Sequence, residues 1–118
     1  MSASSPAEIR LHPDFDWYSF DAKYLDDACD FDIPAEVPSE TIKAIQDAAV
    51  VAFSALDCAG LARVDFFLAQ DGQLIVNEIN TMPGFTPISM YPKMWAESGV
   101  SYPELIDRLV ASALAVRR

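Results

Sequence analysis

Apolar residues recur along this chain with two different periods, and the change of period marks its elements. From Ser39 to about Asp57, Ile42, Ile45, Ala49, Ala52, Phe53 and Leu56 return every three or four positions, which predicts an amphipathic helix. Ser39 is placed to cap it, Glu40 puts negative charge in its first turn, and Gly60 stands as the breaker. Leu61 to Leu68 and Leu74 to Asn80 read instead as strands. The Asp71-Gly72 step between them predicts a hairpin. From Thr81 to Pro92 three prolines and a glycine predict a loop without regular structure. A short helix from about Lys93 to Ser98 follows, stopped by Gly99. Ser101 and Glu104 then form a capping box ahead of a last helix, with Leu105, Ile106, Leu109, Val110, Ala113 and Leu114 as its expected buried stripe.

The amino-terminal third is less regular. Met1 to Pro6 reads as a flexible leader, and Ala7 to Leu11 as a short strand. From His12 to Val37 the chain is aromatic and acidic with no sustained period, as expected for a long, functional loop over 12–37. The pattern describes an α+β fold in which an antiparallel sheet packs on the helices that begin at Ser39 and Ser101.

Charge and cysteine content narrow the function classes. The net charge is -10, and acids crowd between Asp14 and Asp47 with only Lys23 and Lys43 opposing them, which excludes a general nucleic-acid binder. A solvated, solubilising face is the plain reading of such a run. Cys29 and Cys58 are far apart and His12 is the lone histidine, so a zinc ligand set is lacking. With no apparent export signal, two reduced cysteines in a cytoplasmic protein are expected. No apolar run approaches the roughly 20 residues of a membrane helix.

The hairpin carries the candidate chemistry. A two-residue turn at Asp71-Gly72 would set Gln70 against Gln73, Asp65 against Glu78 and Arg63 against Asn80, whereas a three-residue loop with a bulge would break that register. Directly opposed residues share a face. One face would then present two carboxylates, an amide oxygen and a guanidinium, with Val64, Phe66, Leu68, Ile75 and Ile79 on the other. An aspartate facing a glutamate requires a cation, a raised pKa or open water. With a cation, this all-oxygen set suits magnesium that keeps waters and shares phosphate oxygens. Without one, Arg63 would simply bridge both acids at a solvent-facing edge.

Two strings add a resemblance. Gly60-Leu61-Ala62-Arg63-Val64-Asp65-Phe66-Phe67, followed by Asn77-Glu78-Ile79-Asn80-Thr81-Met82-Pro83-Gly84-Phe85-Thr86-Pro87-Ile88-Ser89-Met90-Tyr91-Pro92, resembles the D-alanine:D-alanine ligases of the ATP-grasp type. Asp21-Ala22-Lys23-Tyr24 resembles the end of that family's omega loop, although Trp17 and Ser19 depart from its usual phenylalanine and aspartate. The resemblance runs from about Ala7 to the carboxy terminus and implies that residues 7–118 are the carboxy-terminal lobe of an ATP-grasp fold.

It further implies that Asp65, Glu78 and Asn80 hold two Mg2+ ions, with Mn2+ as an alternative, against ATP, and that Glu78 bridges them. Arg63 would stabilise the acyl phosphate, and Gly84 would supply an oxyanion-hole N–H. Ser89 and the N–H of Met90 would receive the second D-alanine. Lys23 would reach the ATP phosphates, and Tyr24 would dock the closed loop over the substrates and favour dipeptide products. The implied reaction joins two D-alanines for peptidoglycan synthesis. The amino-terminal and central domains of such an enzyme are absent from this chain, and homodimerisation of the complete enzyme is open. Another ATP-grasp ligase with a different acceptor, or a non-catalytic metal- or nucleotide-binding fragment, are the alternatives. Gly84 to Tyr91 discriminates among acceptors.

Overall fold

The computed structural model describes residues 1–11 and 29–116. Its elements are β1 (Glu8–Leu11), β2 (Cys29–Asp32), α1 (Ser39–Ala55), β3 (Arg63–Leu68), β4 (Leu74–Asn80), α2 (Met90–Glu97) and α3 (Tyr102–Ala115). The strands form two separate antiparallel pairs, β1 with β2 and β3 with β4. The strand expected near residues 7–11 therefore has a partner inside the expected loop: Ile9 pairs with Phe31 and Leu11 with Cys29. Short acidic Cys29–Asp32 carries no strand signal by itself, and cross-strand hydrogen bonding decides its conformation. His12, Trp17, Tyr18, Phe20, Lys23 and Tyr24 lie outside the described residues.

Met1 to Pro6, read as a leader, lies against the helices. Gln46 Nε2 donates to the Ser4 carbonyl at 2.9 Å, and the Ser5 N–H donates to Ser98 Oγ at 2.8 Å. The Ala35 N–H donates to the Pro6 carbonyl at 2.9 Å.

Helix α1 begins at Ser39 with Pro38 at the N-cap position, and no side chain caps it, so the expected Ser39 cap does not form. Its end is also not the work of Gly60. The Cys58 N–H donates to the Phe53 carbonyl at 3.0 Å and the Asp57 N–H to Ser54 at 3.1 Å, which closes a Schellman motif around Asp57 at φ 53°. Helix α2 ends the same way with Gly99 at φ 94°, where Val100 donates to Trp95 at 2.9 Å and Gly99 to Ala96 at 3.1 Å. One motif thus uses glycine and the other an aspartate whose Cβ opposes the left-handed backbone.

Helix α2 starts at Met90, three residues before the expected Lys93, because Pro92 occupies its first turn, where a missing N–H costs no helical hydrogen bond. At α3 the expected capping serine is present: Ser101 Oγ accepts from the Glu104 N–H at 3.3 Å.

The core lies at the α2–α3 junction. Tyr91, Val100 and Leu105 are buried together, and Leu61, Phe85, Trp95 and Leu109 pack around them. The predicted α3 stripe is only partly covered: Leu105 is buried, but Val110 and Leu114 are 54% and 81% exposed. The hairpin packs on α1 and α3 on α2. Between hairpin, α1 and α3 lies a cavity of about 420 Å³, lined by Ile45, Phe53, Val64, Phe66, Trp95 and Leu105 among others. The expected packing of the sheet on the helices is met chiefly at α1.

If the left-handed position limits the end of α1, Asp57→Gly raises stability by up to about 1 kcal/mol. Gly72→Ala, at φ 89° with open space around its Cα, lowers it by about 1 kcal/mol. Urea denaturation of the two variants, with opposite shifts in midpoint at constant slope, checks both.

Candidate functional site

The hairpin reaches its expected pairing by a different route. The Gly72 N–H donates to the Ala69 carbonyl at 2.9 Å and the Ala69 N–H to the Gln73 carbonyl at 2.8 Å, so the loop has three residues and Ala69, not Gln70, faces Gln73. Asp71 Oδ1 accepts the Gln73 N–H at 3.0 Å and braces the turn. Leu68 then pairs with Leu74, Phe67 with Ile75 and Phe66 with Val76. A bulge between Asp65 and Phe66 leaves Asn77 as the extra residue and moves the register back by one, giving Asp65 opposite Glu78 and Arg63 opposite Asn80. Loop and bulge cancel where the charged residues sit. They do not cancel nearer the turn, where Ile75 pairs with Phe67 on the Asp65 side instead of joining the apolar face.

Arg63, Asp65, Glu78 and Asn80 share one face of β3–β4. The Arg63 guanidinium forks onto Asp65, with Nε to Oδ1 and Nη2 to Oδ2 both 2.9 Å, and Nη2 stands 3.5 Å from Glu78 Oε1. Bidentate guanidinium–carboxylate pairing is among the stronger charge-assisted contacts. Here it offsets the repulsion of the opposed acids and leaves the trio with one net negative charge. Asn80 Oδ1 accepts the Met82 N–H at 2.9 Å, which holds the amide plane and keeps a second lone pair for another partner.

Among the described residues no group of three His, Cys, Asp or Glu side chains is placed to hold a metal. The Asn80 amide oxygen joins the Asp65 and Glu78 carboxylates on this face. The resulting donor set is entirely oxygen, partly exposed and open to water, which fits a hard divalent cation that retains part of its hydration. Such a cation would compete with Arg63 for the carboxylate oxygens and free the guanidinium for an incoming anion.

The chain after Asn80 is tied down by aromatic contacts. The Phe85 ring lies 5.9 Å from Tyr91 and 5.4 Å from Tyr102, both tilted, and the Tyr102 hydroxyl donates to the Phe85 carbonyl at 3.0 Å. Burial raises the Tyr91 phenol above its ordinary pKa, against a smaller lowering by its hydrogen bond with Trp95. Gly84 precedes this anchor. A Cβ there would stand 3.2 Å from Ser89 Oγ, so glycine leaves room for the serine hydroxyl. Ser89 is the N-cap residue of α2 and Met90 its first residue, with a backbone N–H in the turn where helical acceptors are lacking.

The structure thus brings Arg63, Asp65, Glu78 and Asn80 together, and Gly84 to Ser89 and Met90. Lys23 and Tyr24 lie outside the described residues. Two further residues serve the loop: Tyr102, through its hydroxyl, and Thr86, whose side chain meets Ser89. The Thr86-Pro87-Ile88-Ser89 spacing ahead of a helix was the available signal.

A family model described as D-ala D-ala ligase C-terminus matches residues 1–111. A D-alanine--D-alanine ligase of Frankia casuarinae is 55% identical over 112 residues, covering 95% of this chain and 29% of its own length. The structure of the D-alanine-D-alanine ligase from Coxiella burnetii superposes with a TM-score of 0.78 at 40% identity, over 96% of this chain and 28% of that one. A Bacillus anthracis D-alanine--D-alanine ligase complexed with ATP superposes at 0.64 and 34% identity, over 69% and 28%. The chain therefore spans about three-tenths of the length of the relatives it matches.

If the Tyr102 hydroxyl holds the Gly84–Ser89 loop, Tyr102→Phe costs about 1 kcal/mol. Amide exchange should accelerate from Gly84 to Ser89 more than in α1. Equal acceleration in both would show a general loss of stability instead.

Proposed function

Because the chain belongs to the D-ala D-ala ligase C-terminus family, we propose that it supplies the metal-binding and acceptor-binding wall of an ATP-dependent ligase. That ligase joins two D-alanines into D-alanyl-D-alanine for peptidoglycan synthesis. The observation that carries this reading is the opposition of Asp65 and Glu78, with Arg63 and Asn80 on the same face, within a chain of this family. Residues 7–118 act as the carboxy-terminal lobe. The amino-terminal and central domains, as expected from the greater length of the relatives, provide the first D-alanine and adenine sites. The complete enzyme works in the cytoplasm, and a homodimer is its proposed assembly. Among the described residues no helix is long and apolar enough to cross a membrane.

Asp65, Glu78 and Asn80 would hold the two Mg2+ ions, which Mn2+ could replace. When bound, the ions would supply positive charge against the ATP phosphates, favouring phosphoryl transfer to the carboxylate of the first D-alanine. Arg63, released from Asp65, clamps the oxygens of the resulting acyl phosphate. Ser89 and the Met90 N–H take the carboxylate of the second D-alanine and direct its amine at the acyl carbon. The Gly84 N–H receives the negative charge that develops on the carbonyl oxygen, and phosphate leaves. Lys23 binds ATP phosphates, while Tyr24 closes the omega loop and excludes the water that would hydrolyse the intermediate.

A chimera in which this chain replaces the matching segment of a relative tests the proposal. Phosphate release that needs both ATP and D-alanine is expected, and Asp65→Asn or Glu78→Gln should lower it by about a hundredfold or more while raising the Mg2+ requirement. A chimera that folds without such release, or one indifferent to both substitutions, would sink the reading.

A further inference from the structure

Resting on that reading of Ser89, we propose that Thr86 is the positioning residue that makes the Ser89 hydroxyl a committed hydrogen-bond donor to the acceptor's carboxylate. The geometry around Ser89 Oγ is unusual for a serine at a helix start. An N-cap serine ordinarily turns its oxygen toward the N–H of the second or third helical residue. The third residue of α2 is Pro92, which has no N–H, and the Ser89 side chain makes no capping hydrogen bond. It turns back to Thr86 instead. The Thr86 N–H donates to Ser89 Oγ at 3.0 Å, the Thr86 Oγ1 lies 2.7 Å from the same atom, and the Ser89 N–H donates to the Thr86 carbonyl at 3.0 Å.

A hydroxyl oxygen has two lone pairs and one proton. The Thr86 N–H fills one lone pair. When the Thr86 hydroxyl donates as well, the second is filled and the Ser89 proton has to point elsewhere. When Ser89 donates to Thr86, that proton is parked. An arriving carboxylate selects the first arrangement, since a charge-assisted hydrogen bond is stronger than a neutral one and donation from Thr86 polarises the Ser89 O–H further. Thr86 touches neither reacting atom. Its role is to set the direction and polarity of the group that does. Gly84 supports the arrangement, because a Cβ 3.2 Å from Ser89 Oγ would press on the atom Thr86 holds.

Thr86→Val keeps the shape and the backbone N–H but removes the hydroxyl. In the ligase chimera it should raise the KM of the second, acceptor D-alanine about tenfold, leaving kcat and the KM for ATP within about twofold. Thr86→Ser should restore the wild-type value. An unchanged acceptor KM in Thr86→Val, a parallel loss of kcat and ATP affinity, or failure of Thr86→Ser to rescue would overturn the role of Thr86 while leaving the ligase reading intact. A wild-type chimera that folds but joins no D-alanine would overturn both.

Discussion

Two carboxylates face each other across the β3–β4 pair, and their repulsion is the constraint to which the surrounding residues answer. In an antiparallel pair, directly opposed side chains are near neighbours, so Asp65 facing Glu78 destabilises the pair unless something offsets the repulsion. Arg63 supplies it by gripping Asp65 with two nitrogens and reaching toward Glu78. The same oxygens are the ones proposed to receive magnesium. Guanidinium and cation therefore compete for one set of ligands, which links occupancy of the proposed metal site to release of the arginine for the substrate.

That opposition depends on backbone features several residues away. A three-residue loop closed by Gly72 displaces the pairing by one, and the bulge at Asn77 displaces it back. Either feature alone would place Asp65 opposite a neighbour of Glu78 and turn the two carboxylates to opposite faces. The bulge is thus part of the site, although its residue contributes no proposed ligand.

The loop that follows is held by a second, apolar device. Phe85 sits between Tyr91 and Tyr102, so the α2–α3 core fixes the backbone from which Gly84 and Ser89 project. Elsewhere the packing is open: Val51, Leu56, Val110 and Leu114 are largely exposed, and a cavity separates the hairpin from α3. These faces are where the proposed amino-terminal and central domains would find apolar surface to cover, in keeping with a chain that spans about three-tenths of its relatives.

The positions of α1, the hairpin strands and α3 were legible in the sequence because each is encoded locally, by apolar periodicity, Asp-Gly at the turn, and Ser101 with Glu104 at a helix start. The identity of the charged cluster was legible too, since alternation along two strands places Arg63, Asp65, Glu78 and Asn80 together once the register is known. The register itself was reached through a two-residue turn that the fold does not contain. Local signals cannot say whether glycine at position 72 closes a loop of two or three residues, nor that a bulge downstream compensates, because both follow from hydrogen bonds between strands. For the same reason β2 was missed: Cys29–Asp32 is a strand only because Glu8–Leu11 pairs with it. Sequence alone determined which side chains carry the proposed chemistry. Tertiary structure decided which of them meet, how Arg63 is shared between two acids, and that Thr86 holds the Ser89 hydroxyl, because these depend on distances between segments that sequence spacing does not measure.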